Sequence, residues 1–124
     1  MRVFKTKVFA RFARREDISD NMLCDAVSRA ERGLIDADLG GGLIKQRVAR
    51  KKAGRSGGYR TLLAYRRGGK CFFVYGFAKN ERDNLDPDDF LRARRTSETL
   101  MELTSDRIHD ALGSAALIEV HCDA

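Results

Sequence analysis

Nine cationic side chains gather around one short glycine-rich segment. Lys45, Arg47, Arg50, Lys51, Lys52, Arg55 and Arg60 flank or occupy the stretch around Ala53–Gly58, and Lys79 and Arg82 follow a later apolar run. Side chains of this kind bind phosphate, and Arg does so best because its planar fork holds two oxygens at once. Gly54, Gly57 and Gly58 allow a loop backbone to approach a ligand closely. The segment is no nucleotide-binding P-loop: GxxxxGK[ST] is absent, and Tyr59 opens a strand-like run where that motif needs a helix. Conventional catalytic groups are scarce, since His109 and His121 stand apart and Glu81 is the one acid between residues 43 and 82. No His, Cys or carboxylate cluster has metal-ligand spacing, so neither a metal nor another cofactor is expected. RNA cleavage suits such a set. The substrate's own 2′-hydroxyl attacks the neighbouring phosphate once geometry is imposed and developing charge is stabilised. Crowding by like charges lowers a lysine pKa, which would let Lys51, Lys52 or Lys79 exchange a proton nearer neutral pH. Tyr59 and Tyr65 are candidates for stacking on bases, against the commoner role of sheet packing.

The charge distribution isolates this segment further. Residues 1–42 hold eight basic and seven acidic side chains, residues 43–82 twelve and one, and residues 83–124 four and ten. The chain's net +6 therefore conceals a block of +11 followed by one of −6. Concentrated positive charge creates a local potential that scattered charge would cancel, and it points to a polyanionic partner. With 124 residues the chain fits a single domain, 1–124. Cys24, Cys71 and Cys122 are odd in number and widely spaced, which suggests neither a disulfide framework nor a zinc site and favours a reducing compartment. The first fifteen residues lack the apolar stretch of a signal peptide, and no segment approaches the ~20 apolar residues that span a bilayer. A cytoplasmic protein with no membrane partner is expected.

The elements that must position the cations can be read from local signals. A short strand at the start leads into a helix marked by Phe4, Val8, Phe9 and Phe12. Ser19 and Asp20 offer capping oxygens to a second helix with Leu23, Ala26, Val27 and Ala30 on one side, ending near Gly33. Beyond Gly40–Gly42 the period becomes alternating, and strands are expected over Leu43–Ala49, Tyr59–Arg66 and Cys71–Ala78. Gly68 and Gly69 make the last two a hairpin. Gly76 within a strand marks a bulge or a close backbone approach. Asp86 before Pro87 starts a long helix whose stripe runs from Phe90 through Ser97, Leu100 and Thr104 to Ala111, and Ala115–Val120 reads as a last short strand. The fold class is α+β: helices first, a small antiparallel sheet in the middle, and a long C-terminal helix after it.

Three segments in register resemble the RelE/HigB family of type II toxins, within the RelE/ParE superfamily. They are Leu43–Arg50, Gly54–Arg60 and Tyr75–Arg82, which read LIKQRVAR, GRSGGYR and YGFAKNER. The resemblance spans about residues 17–95 and implies a compact microbial ribonuclease fold with two N-terminal helices packed on the antiparallel sheet, a metal-independent endoribonuclease that cuts mRNA in the ribosomal A site, and an antitoxin that wraps and inhibits it. A neighbouring helix-turn-helix protein would be that antitoxin. Carried over by position, Arg60 matches a phosphate-binding arginine, Arg55 a basic residue of the same loop, and Lys51 a catalytic lysine, while Lys79 lines the pocket. Lys45, Arg47, Arg50, Lys52, Tyr59 and Arg82 complete the RNA-binding set. Phe90 stands near a position where some members carry a tyrosine, so that role is not transferred, and Asn80 replaces an arginine of some relatives. Two alternatives stay open: a non-catalytic RNA- or ribosome-binding module, and a gyrase inhibitor of the ParE type.

Overall fold

A computed structural model describes residues 1–50, 54–78 and 85–122, with backbone alone for 50 and 54–57. The elements run β1 (Arg2–Thr6), α1 (Lys7–Arg15), α2 (Asp20–Glu31), β2 (Ala37–Gly40), β3 (Leu43–Arg50), β4 (Gly54–Tyr65), β5 (Lys70–Ala78), α3 (Pro87–Met101), α4 (Ser105–Gly113) and β6 (Leu117–Val120). The strands form one sheet in the order β2-β3-β4-β5-β1-β6. The expected antiparallel meander is present in β3-β4-β5, but the sheet is mixed, because β1 pairs parallel to β5 with Val3 opposite Cys71. That pairing joins residues nearly seventy positions apart, and no local signal encodes it.

Helices α1 and α2 cover one face of the sheet and α3 and α4 the other. Phe9 and Phe12 of α1 and Leu23, Ala26 and Val27 of α2 pack with Ile44, Val48, Leu63 and Phe73. On the opposite face Ala93, Leu100 and Ile108 pack with Phe4, Leu43, Leu62 and Phe72. Local chemistry sets the helix starts: Thr6, Ser19 and Asp86 each accept a bond from the backbone three residues on.

The single long helix expected after Asp86 is two. α3 ends at Met101, and Thr104 accepts a bond from Arg107 N–H at 3.2 Å to start α4, with Asp106 in its first turn. No Gly or Pro marks the break. A threonine that caps a new helix interrupts the stripe instead.

Two further expectations are corrected. The glycine segment 54–58 belongs to β4, whose register against β3 shifts between Val48 and Arg50. A Cβ on Gly58 would sit 3.1 Å from the Val48 carbonyl oxygen, so glycine is what lets the strands close there. Cys24 and Cys122, read from spacing as unconnected, form a disulfide with Cα atoms 5.6 Å apart, while Cys71 is free and buried. Antiparallel pairing of β6 with β1 brings the C-terminal residues to α2, where the His121 N–H also donates to Asp20. The disulfide removes the premise on which a reducing compartment was inferred.

Candidate nucleic-acid interface

Alternation along β3 and β4 sorts the basic block onto one face. Ile44, Gln46 and Val48 point to α2, so Lys45 and Arg47 point the other way; Tyr59 and Leu63 lie on the helix α1 side, so Arg60 lies with Leu62 on the α3 side. Cross-strand pairing then builds two rows, Lys45–Leu62–Tyr75 and Arg47–Arg60–Phe77. Helix α3 covers the sheet only in part. Between its start and the sheet lies an open cleft of about 500 Å³, lined by Leu39, Lys45, Leu62 and Phe77 from the strands and by Leu85 and Phe90. Arg60 is the next residue on this face beyond Leu62. Its Nη1 is buried and has no hydrogen-bond partner among the described residues, although Arg47, also cationic, is its direct cross-strand neighbour. A desolvated guanidinium nitrogen beside a second arginine is a group held ready for an anion.

A polar network positions Arg47. Gln46, fully buried, donates from Nε2 to the Ala26 and Leu34 carbonyls at 3.0 and 3.2 Å and accepts the Asp36 N–H at 2.8 Å. The Arg47 N–H donates to Asp36 Oδ2 at 2.6 Å, and the Arg29 guanidinium donates to the Arg47 carbonyl. β2 pairs with β3 no further along than Ala37 opposite Lys45. Side chains therefore take over the ladder where that strand has not yet begun, and they satisfy the β3 backbone beside its cations. The interrupted alternation Ile44-Gln46-Val48 is the sequence signal that could have exposed this network.

Over residues 1–120 the chain matches the model of the RelE toxin of the RelE/RelB toxin–antitoxin system. The chain belongs to the RelE toxin family. A search of curated proteins returns no significant match. As a RelE-family toxin the protein is one partner of a toxin–antitoxin pair. Among the described residues no helix is long and apolar enough to cross a membrane.

Within this RelE-family toxin the site residues expected from sequence fall into three groups. Lys45, Arg47 and Arg60 share one face and are brought together. Arg50 and Arg55 are described as strand backbone only, and Lys51, Lys52, Lys79 and Arg82 lie outside the described residues. Ala78, immediately before Lys79, pairs with Tyr59. Tyr59 is a correction. It is buried on the opposite face, where its ring meets Phe12 edge-on at 5.7 Å and its hydroxyl donates to the Glu16 carbonyl at 3.2 Å, so it is no platform for a base. Tyr65 is likewise buried and donates to Glu31 Oε2 at 2.5 Å. Burial first, and then that carboxylate, holds its phenol above the ordinary tyrosine value. The aromatic groups that do share the arginine face, Phe77 and Tyr75, were missed, because a register shift in β5 puts them there.

Proposed function

We propose that this toxin is an mRNA endoribonuclease acting at the ribosome, cutting by attack of a 2′-hydroxyl on the adjacent phosphate. The observation that carries the reading is the buried Nη1 of Arg60, without a partner among the described residues, beside Arg47 and paired across the strands with Phe77, which lines the cleft. In such a reaction the 2′-oxygen bonds to phosphorus and loses its proton, while the 5′-oxygen leaves and takes one up. The products are a 2′,3′-cyclic phosphate and a 5′-hydroxyl. Negative charge builds on the non-bridging oxygens, and a cation already partly stripped of water stabilises it with little reorganisation at the moment of reaction. Arg60 would hold the scissile phosphate and Arg55 would assist it, with Lys51 and Lys79 exchanging the protons. Lys45, Arg47, Arg50, Lys52 and Arg82 would guide the strand. Phe77 and Phe90 form an apolar wall of the cleft beside these cations, and a bound strand that displaces water there would strengthen the charge interactions.

The antitoxin reading follows from the same charge. An acidic segment laid over the +11 block would neutralise it and occlude the cleft, and a helix-turn-helix domain would join that segment to operator DNA. Expression of Arg60→Ala or Lys79→Ala is expected to relieve growth arrest at unchanged protein level. Wild-type messages should show new 5′ ends within A-site codons. Full toxicity of both variants, or stalled ribosomes without new 5′ ends, would overturn the nuclease reading in favour of a binding module, and a DNA-damage response with intact mRNA would favour gyrase inhibition.

A further inference from the structure

Helix α1 carries Lys7, Arg11, Arg14 and Arg15 among nine residues and no acid, and Glu16 at its C-cap pairs with Arg15 Nε at 3.5 Å. All four are exposed, and Val8 beside them is 59% exposed. This second basic surface lies outside the +11 block, and its place in the fold brings it to the same site. β1 stops at Thr6 while β5 continues to Ala78. The Thr6 hydroxyl donates to the Val74 carbonyl at 3.3 Å, and α1 then packs its Phe9 and Phe12 rings over β5 beside the edge that β1 has vacated. A pocket of about 220 Å³ opens there, lined by Val8, Arg11 and Arg15 of α1 and by Tyr75 and Gly76 of β5.

β5 is built to present an aromatic residue to that pocket. Leu62 pairs with Tyr75 but Leu63 with Phe73, so Val74 is an extra residue, a bulge. Without it, alternation from Phe73 would turn Tyr75 and Phe77 toward the buried α1/α2 face. With it, Val74 and Tyr75 both join the α3-side cluster, and the Tyr75 and Phe77 rings stand 6.5 Å apart on the arginine side. Bulges commonly re-aim side chains beside functional sites. The outcome joins the two faces at the edge of β5: Lys45, Arg47 and Arg60 on β3 and β4 and Tyr75 and Phe77 on β5 share the α3 side, and Tyr75 also lines the pocket that Arg11 and Arg15 of α1 border from the other side. Two strand spacings, about 10 Å, separate the β3 cations from the aromatic pair. Cations flanking an aromatic step are the arrangement that holds single-stranded nucleic acid, by phosphate contact and base stacking.

We infer that Tyr75 of β5 and Arg11 and Arg15 of α1 form a binding subsite for single-stranded RNA, which holds the nucleotides flanking the one at Arg60. The inference rests on the RNA reading of the preceding subsection and extends it to a second element. Tyr75 stacks on a base, and the two arginines contact the phosphates on either side of it.

The test is fluorescence anisotropy of the full-length protein with uncleavable 2′-O-methyl oligouridylates of three and twelve nucleotides, across a salt series. Arg11→Gln/Arg15→Gln should bind the twelve-mer more weakly, with the slope of log K against log salt reduced by about 1.4, and the three-mer as wild type does. Tyr75→Ala should weaken the twelve-mer at least about fivefold, and Tyr75→Phe should keep wild-type affinity. Arg60→Met should weaken both oligomers. If the α1 pair, whose side chains are exposed and need not affect folding, binds as wild type while Arg60→Met binds worse, the subsite is overturned and the RNA reading stands. If the wild type binds neither oligomer, or no variant changes binding, both fall. If the α1 pair binds RNA normally and loses only antitoxin binding, the face belongs to the protein partner and the inference fails.

Discussion

Replacing Arg60 with methionine should make the protein more stable while removing its function. Arg60 sits in mid-strand on β4 with Nη1 buried and without a partner among the described residues, and Arg47 is its direct cross-strand neighbour. A buried donor without a partner costs about 1–3 kcal/mol. Like charges directly opposite on a sheet add roughly 0.2–1 kcal/mol of repulsion. Methionine keeps a flexible stem of similar length against Leu62 and Phe77 and removes both penalties. The guanidinium is only partly buried as a whole, so the expected gain is at the lower end, about 1–2 kcal/mol. For a chain of this length that is a rise in Tm of roughly 4–8 °C. Urea unfolding followed by circular dichroism measures the change, and mRNA cleavage in a translation extract measures function. Stabilisation with lost cleavage is the signature of a charge kept for its ligand at the expense of the fold. An Arg60→Met protein less stable than wild type by about 1 kcal/mol or more would show that the arginine serves the structure, and the site would have to be sought elsewhere.

Two further outcomes are expected from the architecture. A Cβ on Gly76 would stand 2.5 Å from Cε2 of Phe12 and 3.1 Å from Cε2 of Phe9, both ring atoms in the core, so Gly76→Ala should cost about 1–3 kcal/mol in chemical denaturation; a change under roughly 0.5 kcal/mol would mean that α1 does not rest on this strand. The Cys24–Cys122 disulfide joins positions 98 residues apart, so Cys122→Ser, or reduction of the wild type, should lower stability by about 2–4 kcal/mol, seen as a Tm lower by roughly 10 °C; superimposable melts with and without reductant would refute the link.

Local structure was legible where one or two side chains complete it. Ser19 caps α2 and Asp86 with Pro87 starts α3 because the bonds involved span three residues and need no partner elsewhere. Gly68, with φ near +71°, turns the β4–β5 hairpin for the same reason. Thr104, Ser105 and Asp106 carried an equally local signal for the start of α4, but it was masked by a stripe that continues through Thr104 at helical spacing. The cations Lys45, Arg47 and Arg60 were identified from residue type and from their resemblance to a toxin family. Their convergence on one face follows from strand alternation, so that much of the site was also within reach.

What residue order and type determined by themselves was the pair of helices α1 and α2, the strands β3 to β5 and the start of α3, but not the short β2, together with the concentration of charge in the middle of the chain and its chemistry as a phosphate-binding set. These depend on short-range bonds and on composition, which a linear chain displays. Tertiary structure alone decided that β1 inserts beside β5, that Cys24 meets Cys122, that Tyr59 is buried under α1, and that a one-residue bulge at Val74 turns Tyr75 and Phe77 toward the arginines. Each of these is a pairing between distant segments, chosen because both faces of the sheet must be covered and every strand must find a neighbour. Side-chain period in a strand is two, so one extra residue exchanges the faces. Which aromatic group stands beside the cations is therefore set by register, and register is settled only when the whole sheet is assembled.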